Sequence, residues 1–404
     1  MARESITTTD KLRRWLFWTH LALGLLAGVA IFTMSITGAL LALQPQVLEW
    51  LERDQRRVAP SQGLRRLEPS ALIGAAANGS RPGTVSITLS ANPTEAALVT
   101  FGRDGVRYVD PYRGTVLGAG APAARRTFQG LTEFHRWFAS STAWRGSARA
   151  VTGWSTLAFV LLVASGSVLW LPRRRTRAAL IRSITPAWPS APRARHFNWH
   201  TVVGFWCAPV LLVLASTGVI LAFPWANRML YAVAGSPLPL APRVAPDGIA
   251  PGRPTDVAGG RATLPDERSI DAAWRVAELK QPSWQTIALR IQGPADGPLS
   301  FTITDKAHWN RFARSQLVVS GRTGNVVRWE PYSGITRGQR WRGWARFAHT
   351  GELGGLAGQL LAGAASAGAA LLVWTGLSLA LSRLGRTGVM TRLSTPVRAP
   401  DRAA

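Results

Sequence analysis

Four stretches of the chain are continuously apolar: residues 16–43, 151–171, 197–223 and 356–381. Crossing the hydrocarbon core as a helix takes about 20 such residues, so the pattern predicts four transmembrane helices. The last is rich in Gly and Ala, which lets helices approach closely in lipid and predicts a place inside the bundle. Pro209 lies within the third, where a kink is tolerated if neighbours satisfy the freed carbonyl. The first is much longer than the apolar region of a cleaved signal, about 7–15 residues, and reads as a retained anchor.

Between the helices of each pair the pattern changes to alternation. In the segment 44–150 it predicts a helix over 69–77, strands over 84–90 and 97–102, and a turn and strand in RYVDPYRGTVLG from Arg107. In the segment 224–352 it predicts a helix over 269–280, strands over 286–291, 299–304 and 315–320, and a turn and strand in SGRTGNVVRWEPYSG from Ser320. Alternating positions bounded by polar turns argue half-buried strands, so each segment reads as one small α+β domain.

The two halves look duplicated. HLALGLLAGVAIFTMSITGALLAL from His20 aligns with HTVVGFWCAPVLLVLASTGVILAF from His200. Gly24 and Gly204 fall at the same distance from their histidines, as do Thr37-Gly38 and Thr217-Gly218. The predicted fold class is a membrane α-helical protein with four transmembrane helices and two α+β domains, internally duplicated.

Charge orients the helices. The 404 residues carry 47 Lys and Arg against 21 Asp and Glu, a net +26. The loop 172–196 holds Arg173, Arg174, Arg175, Arg177, Arg182, Arg193 and Arg195 and no acid. The start of the chain has Arg3, Lys11, Arg13 and Arg14, and its end has Arg383, Arg386, Arg392, Arg398 and Arg402. Under the positive-inside rule all three regions are cytoplasmic, which predicts a multi-pass membrane protein with both termini inside. The two long segments, which hold nearly all the acids, then lie on the outer side. Topology and membrane lipid account for the basic balance, and nucleic acid is not an expected partner. A lone Cys207 excludes an internal disulfide and a thiolate metal cluster.

Six histidines remain to be placed. His20, His196 and His200 fall at cytoplasmic helix ends, His135 and His349 precede the second and fourth helices on the outer side, and His308 belongs to the second outer segment. Ionisable residues at membrane helices are costly and invite a functional reading. Imidazole is a common axial ligand of haem iron. Two imidazoles from facing helices suit one b-type haem, which needs no CxxCH attachment. Depth pairs His20 with His200 near the cytoplasmic face and His135 with His349 near the outer face, giving two predicted b haems. His196 and His200 share one helix face. The duplication favours His200, because position 196 matches Leu16; His196 stays open as the alternative, or as a propionate contact beside Arg193 and Arg195. His135 precedes its apolar run by several turns, so a separate interfacial helix over 128–139 is predicted to carry it. His308 reads as a surface residue. No HExxH, Walker loop or GxGxxG context is present.

These residues resemble the PepSY-associated transmembrane family of iron-regulated membrane proteins, which includes inner-membrane ferric-siderophore reductases. The likeness covers most of the chain. It rests on WTHLALGLLAG at Trp18, TEFHRWF at Thr132, HFNWHTVVGFW at His196, AHTGELGGLAGQLL at Ala348 and SGSVLWLPRRR at Ser165. The turns DPYRGT at Asp110 and GRTG at Gly321 look like signatures of the PepSY domain. The resemblance implies b-type haem, with His20, His135, His200 and His349 as ligand candidates and His196 in question, two periplasmic PepSY-like domains, and release of iron from chelates by reduction. The implied boundaries are 1–43 for the cytoplasmic start and first helix, 44–126 for the first domain, 127–171 for the interfacial segment and second helix, and 172–196 for the cytoplasmic loop. They continue with 197–223 for the third helix, 224–345 for the second domain, 346–382 for the histidine segment and fourth helix, and 383–404 for the tail. The expected partners are a ferric siderophore or other periplasmic acceptor and a cytoplasmic or quinol electron donor. Trp137, Trp144, Trp309, Arg311, Trp341 and Trp344 are candidates to meet an anionic chelate, with an interfacial aromatic belt the favoured alternative for most of them. The competing expectation is a non-enzymatic, membrane-anchored PepSY binding module for a peptide or protein.

Overall fold

The computed structural model describes residues 8–59, 63–77, 84–102, 105–172, 176–188, 191–239, 264–306 and 312–384. His308, Trp309, Arg311 and most of the basic tail lie outside them. In chain order, α1 (Thr8–Leu41), α2 (Gln44–Leu51), α3 (Arg53–Arg56) and α4 (Pro69–Ala77) precede β1 (Thr84–Ser90), β2 (Ala97–Phe101), β3 (Val106–Val109) and β4 (Val116–Gly118). Then come α5 (Pro122–Trp137), α6 (Arg145–Trp170), α7 (Arg177–Ile184), α8 (Pro192–Ala222), α9 (Pro224–Val233) and α10 (Glu267–Lys280). The remainder is β5 (Trp284–Gln292), β6 (Pro298–Asp305), β7 (Arg314–Ser320), β8 (Val326–Glu330), α11 (Arg337–His349) and α12 (Gly355–Leu384). The chain divides into two compact units: residues 1–44, 128–230 and 344–404 form one, and residues 45–127 and 231–343 the other.

The first unit is a bundle of α1, α6, α8 and α12, all long and apolar enough to cross a membrane. Each packs on two neighbours: α1 on α6 and α12, and α8 on the same two. The predicted spans 16–43, 151–171 and 197–223 overrun the ends of α1, α6 and α8 by one or two residues, 356–381 lies within α12, and the helices themselves extend into polar sequence. α6 starts at Arg145 and α1 carries Asp10, Lys11, Arg13 and Arg14, because Arg and Lys are good helix formers wherever water reaches them. The small residues of α12 do what their composition predicts: Ala362, Ala365 and Ala369 are buried. A Cβ on Gly368 would stand 2.6 Å from Sγ of Cys207, so α8 and α12 cross too closely for any side chain there. Gln359, buried on α12, donates to the carbonyl of Ala42 at 3.0 Å. That bond satisfies a carbonyl freed at the end of α1, which has no water to turn to.

The second unit is one antiparallel sheet of eight strands in the order β4-β3-β2-β1-β5-β6-β7-β8. The sequence pattern predicts one small domain per segment; the chain instead joins both halves through β1 and β5. Their register runs without a break from Thr84 against Gln292 to Ser90 against Thr286. The physical reason lies at the strand edges. A four-stranded half would leave β1 or β5 with unpaired N–H and C=O groups along its whole length, and pairing the two closes both edges. Alternation sorts the faces. Val85, Ile87 and Leu89 of β1, Ile287, Leu289 and Ile291 of β5, and Leu299, Phe301 and Ile303 of β6 are all buried. They form one core with Leu72 and Ile73 of α4 and Ile270 and Trp274 of α10. Each such side chain stabilises the unit by about 1.5–3 kcal/mol through area removed from water. Asp271 of α10 ties the two helices together, accepting from Ser70 N at 3.0 Å and Ser70 Oγ at 2.6 Å at the start of α4.

A second anchor in this unit is the carboxylate of Glu52, which has no exposed surface. Arg125 donates to it from Nε at 2.5 Å and Nη2 at 2.7 Å, Tyr108 OH at 2.8 Å, Ala121 N at 3.0 Å and Arg56 Nη2 at 3.0 Å. Burial alone would raise this carboxyl, but the hydrogen bonds, led by Arg125, bring it down to about 2. Burial and the bond to Glu52 push the Tyr108 phenol up to about 12. Gly120, at φ 68, passes so close that a Cβ would sit 2.8 Å from Glu52 Oε1.

Candidate functional site

Two pairs of histidines face each other within the helical unit. The rings of His20 and His200 have centroids 6.4 Å apart and planes at 84°. Those of His135 and His349 are also 6.4 Å apart, with planes at 54°. His196 stands elsewhere, its ring 4.9 Å from that of Trp374 in an edge contact.

The helices that carry the second pair are short and turn back on the bundle. His135 lies near the end of α5, which runs Pro122–Trp137 and includes most of the predicted interfacial segment 128–139. Phe138 and Ala139 follow at φ 52 and 50. Left-handed conformation at two consecutive non-glycine residues is costly, and it makes the reversal into α6 abrupt. Thr152 of α6 pins the turn by donating to Arg136 O at 3.0 Å. His349 is the last residue of α11, and Gly351 follows at φ 74. A Cβ at Gly351 would come within 2.6 Å of the Gly358 carbonyl, so the return into α12 depends on glycine.

Every one of the four rings is held by its Nδ1. His20 places this atom 2.9 Å from Ser165 Oγ of α6, and His135 places it 2.9 Å from Thr37 Oγ1 of α1. His200 places it 3.0 Å from Thr375 Oγ1 of α12. His349 has Leu214 O at 2.9 Å and Thr217 Oγ1 at 3.3 Å, both on α8. A glycine follows each of these hydroxyl residues. Cβ atoms at Gly166, Gly38, Gly376 and Gly218 would lie 3.3, 3.4, 3.3 and 3.2 Å from Cε1 of His20, His135, His200 and His349. The rings thus rest on bare backbone, fixed by a hydroxyl at one edge and open at Nε2.

The arrangement repeats with the duplication. In the first half α6 holds the histidine of α1, and α1 holds the histidine of α5. In the second half α12 holds the histidine of α8, and α8 holds the histidine of α11. Each facing pair takes one ring from each half. The alignment of α1 with α8 makes Thr37-Gly38 and Thr217-Gly218 visible, but not what they touch. Ser165-Gly166 and Thr375-Gly376 escape it, because they lie on the returning helices. The signal that finds them is simple: each of the four long apolar segments contains a Ser-Gly or Thr-Gly pair.

A cavity of about 2030 Å³ adjoins the first pair. His20, His200, Gly24, Gly204, Trp170 and Phe205 are among its walls. Gly24 and Gly204 each follow their histidine by one helical turn on the same face, leaving flat space beside the ring. Arg13, Arg14, Arg193 and Arg383 also line it. Arg13 is held by the carbonyls of Leu169 and Leu171, each at 2.7 Å, and the guanidinium of Arg383 lies over the rings of Phe17 and Trp18. The walls are mostly apolar, with cationic groups among them, a chemistry suited to a large flat ligand carrying acidic arms.

Among the described residues no three or more His, Cys, Asp or Glu side chains gather as a metal site would require. The histidines come in twos. A metal bound by such a pair needs its other ligands from something besides protein.

A search of curated proteins found no match. The family described as "PepSY-associated TM region" matches residues 17–383, from the turn before His20 to the last charged residue of α12. With four apolar helices set by hydropathy and nearly the whole length matched, the chain is a multi-pass membrane protein and belongs to the PepSY-associated TM region family.

Proposed function

We propose that this protein is an inner-membrane di-haem b protein that passes electrons from the cytoplasmic side to a periplasmic acceptor, reducing Fe(III) held by a siderophore and so releasing it. The observation that carries this reading is the equal 6.4 Å spacing of both histidine pairs. That spacing would leave room for one metal ion between the two rings, since metal–imidazole bonds run to about 2.0–2.1 Å. A haem would ask only two imidazole nitrogens of the protein, which suits pairs rather than clusters.

When bound, haem supplies one-electron Fe(III)/Fe(II) chemistry. The residues of this chain do the rest. His20 and His200 would hold one haem, and His135 and His349 the other. Arg13, Arg193 and Arg383 would pair with acidic arms at the first site, whose remaining walls are mostly apolar. From His20 to Thr37, which holds His135, α1 rises roughly 25 Å at about 1.5 Å per residue. That is close to the thickness of the hydrocarbon core, about 30 Å, so one pair serves each face. Each Fe(III) takes one electron, and a quinol or a cytoplasmic reductant is oxidised in exchange. Fe(II) binds hard-oxygen chelators far more weakly than Fe(III), which frees it.

The test is anaerobic. Chain reduced with dithionite and freed of excess reductant is mixed with a ferric siderophore while its absorbance is followed. Reoxidation with appearance of chelatable Fe(II) is expected. A reduced chain that stays reduced beside ferric siderophores, yet reoxidises in oxygen, points to another acceptor and overturns the reductase assignment.

A further inference from the structure

The hydroxyl beside each histidine already has its hydrogen committed. Thr37 Oγ1 donates to Thr33 O at 2.8 Å, Ser165 Oγ to Leu161 O at 2.6 Å, Thr217 Oγ1 to Val213 O at 2.6 Å, and Thr375 Oγ1 to Leu371 O at 2.8 Å. A hydroxyl has one hydrogen and two lone pairs. Towards the imidazole it therefore accepts, and Nδ1 carries the hydrogen. At His349 the carbonyl of Leu214, three residues before Thr217, adds a second acceptor at 2.9 Å. Neutral imidazole has one N–H, so the lone pair sits on Nε2 in all four rings.

A packing role does not require this. Each hydroxyl is satisfied by its own helix without the histidine. The same two parts, a hydroxyl and the glycine that follows it, nevertheless meet a ring at four places far apart in sequence. A hydroxyl that donates to a carbonyl is also polarised into a better acceptor.

We infer that Ser165, Thr37, Thr375 and Thr217 are positioning residues that lock the four histidines as Nδ1–H tautomers, present Nε2 to the metal and strengthen it as a donor. This rests on the haem reading proposed above. An imidazole whose N–H is bonded to an oxygen donates more strongly to a metal at the other nitrogen. Stronger donation favours Fe(III) and lowers the reduction midpoint, so loss of the hydroxyl raises it. The four sites are not equal. His349 leans on the Leu214 carbonyl at 2.9 Å and has its hydroxyl at 3.3 Å, whereas the other three have theirs at 2.9–3.0 Å. Thr217 is therefore the least influential of the set.

Thr375→Val removes the hydroxyl and keeps the shape; Thr375→Ser keeps the hydroxyl. Full-length chain with haem supplied is purified for each, and for Thr37→Val and Thr217→Val. The readouts are the reduced α band, potentiometric midpoints and the low-spin electron paramagnetic resonance spectrum. The expected result for Thr375→Val is a rise in one of two midpoints, with Thr375→Ser like the parent. Thr37→Val is expected to raise the other midpoint, by more than Thr217→Val does. Haem lost in Thr375→Val and kept in Thr375→Ser also supports the inference. Haem lost equally in both overturns it, because the hydroxyl is then not what the site needs. Valine variants that keep haem with both midpoints and the resonance spectrum unchanged overturn it while leaving the haem reading standing. A parent chain without haem overturns both.

Discussion

Oγ1 of Thr37 stands 2.9 Å from Nδ1 of His135, a residue 98 positions further along the chain. Only a helix that doubles back could bring them together. The left-handed residues Phe138 and Ala139 provide the reversal. A histidine on a polar, amphipathic helix is thereby carried to the side of a membrane helix, and opposite His349.

That pairing predicts how single substitutions sort. His135→Ala and His349→Ala are each expected to abolish the same haem signal and spare the other. His20→Ala and His200→Ala should do the reverse. Spectra of the four purified variants check this. Each loss should be near complete for one site, because one imidazole cannot replace two. His196→Ala is expected to keep both signals, since its ring packs on Trp374 rather than across from His20.

The glycines give a subtler test. In Gly218→Ala the new methyl would sit 3.2 Å from Cε1 of His349 and 3.0 Å from Cγ2 of Thr156. Both neighbours would have to yield by a few tenths of an ångström, and overpacking of this kind costs typically 1–3 kcal/mol. The expected outcome is a weakened or altered signal for the His135–His349 site, with the His20–His200 site as in the parent. Redox titration of the purified variant separates the two.

Stability of the sheet unit should depend on Glu52. Arg125→Ala leaves a carboxylate without its main partner and is expected to destabilise the unit by about 3–5 kcal/mol. Urea unfolding followed by Trp fluorescence measures it, and Arg56, still in place, argues for the lower end of that range.

The same group predicts a pH dependence. Folding lowers the Glu52 carboxyl from 4.5 to about 2. Between those values the unfolded chain binds more protons than the folded one, so stability falls with acid. The contribution is fully present above about pH 4.5 and is lost as pH falls towards 2. Glu52→Gln should flatten this part of the curve and lower stability at neutral pH. Thermal unfolding at a series of pH values from 6 downward, roughly half a unit apart, reads both effects.

Much of this architecture is written in short-range pattern. Period-two alternation gives β1 as residues 84–90, and hydropathy gives the four long helices, because both depend on which face a side chain must bury. The union of β1 with β5 is not readable in this way. It depends on edges that need partners, and nothing local in Val85 or Ile291 names the partner. The histidine pairs are partly legible. Hydropathy and charge place His20 and His200 at one depth, and the duplication sets His200 apart from His196, which the structure puts against Trp374. The hydroxyl–glycine rests were half visible in α1 and α8, and hidden in α6 and α12 because returning helices share little sequence with the first ones. The Glu52 cluster left no trace at all, since its partners Tyr108 and Arg125 lie in different elements far along the chain.

Haem binding by both facing pairs is tested most directly by the haem content of the purified chain. The protein is produced with haem supplied, and its dithionite-reduced spectrum and haem-to-protein ratio are recorded. A b-type α band and two haems per chain are expected, falling to one when either pair loses a histidine. A folded chain with no b-type α band, or one whose haem survives replacement of all four histidines, would contradict that expectation.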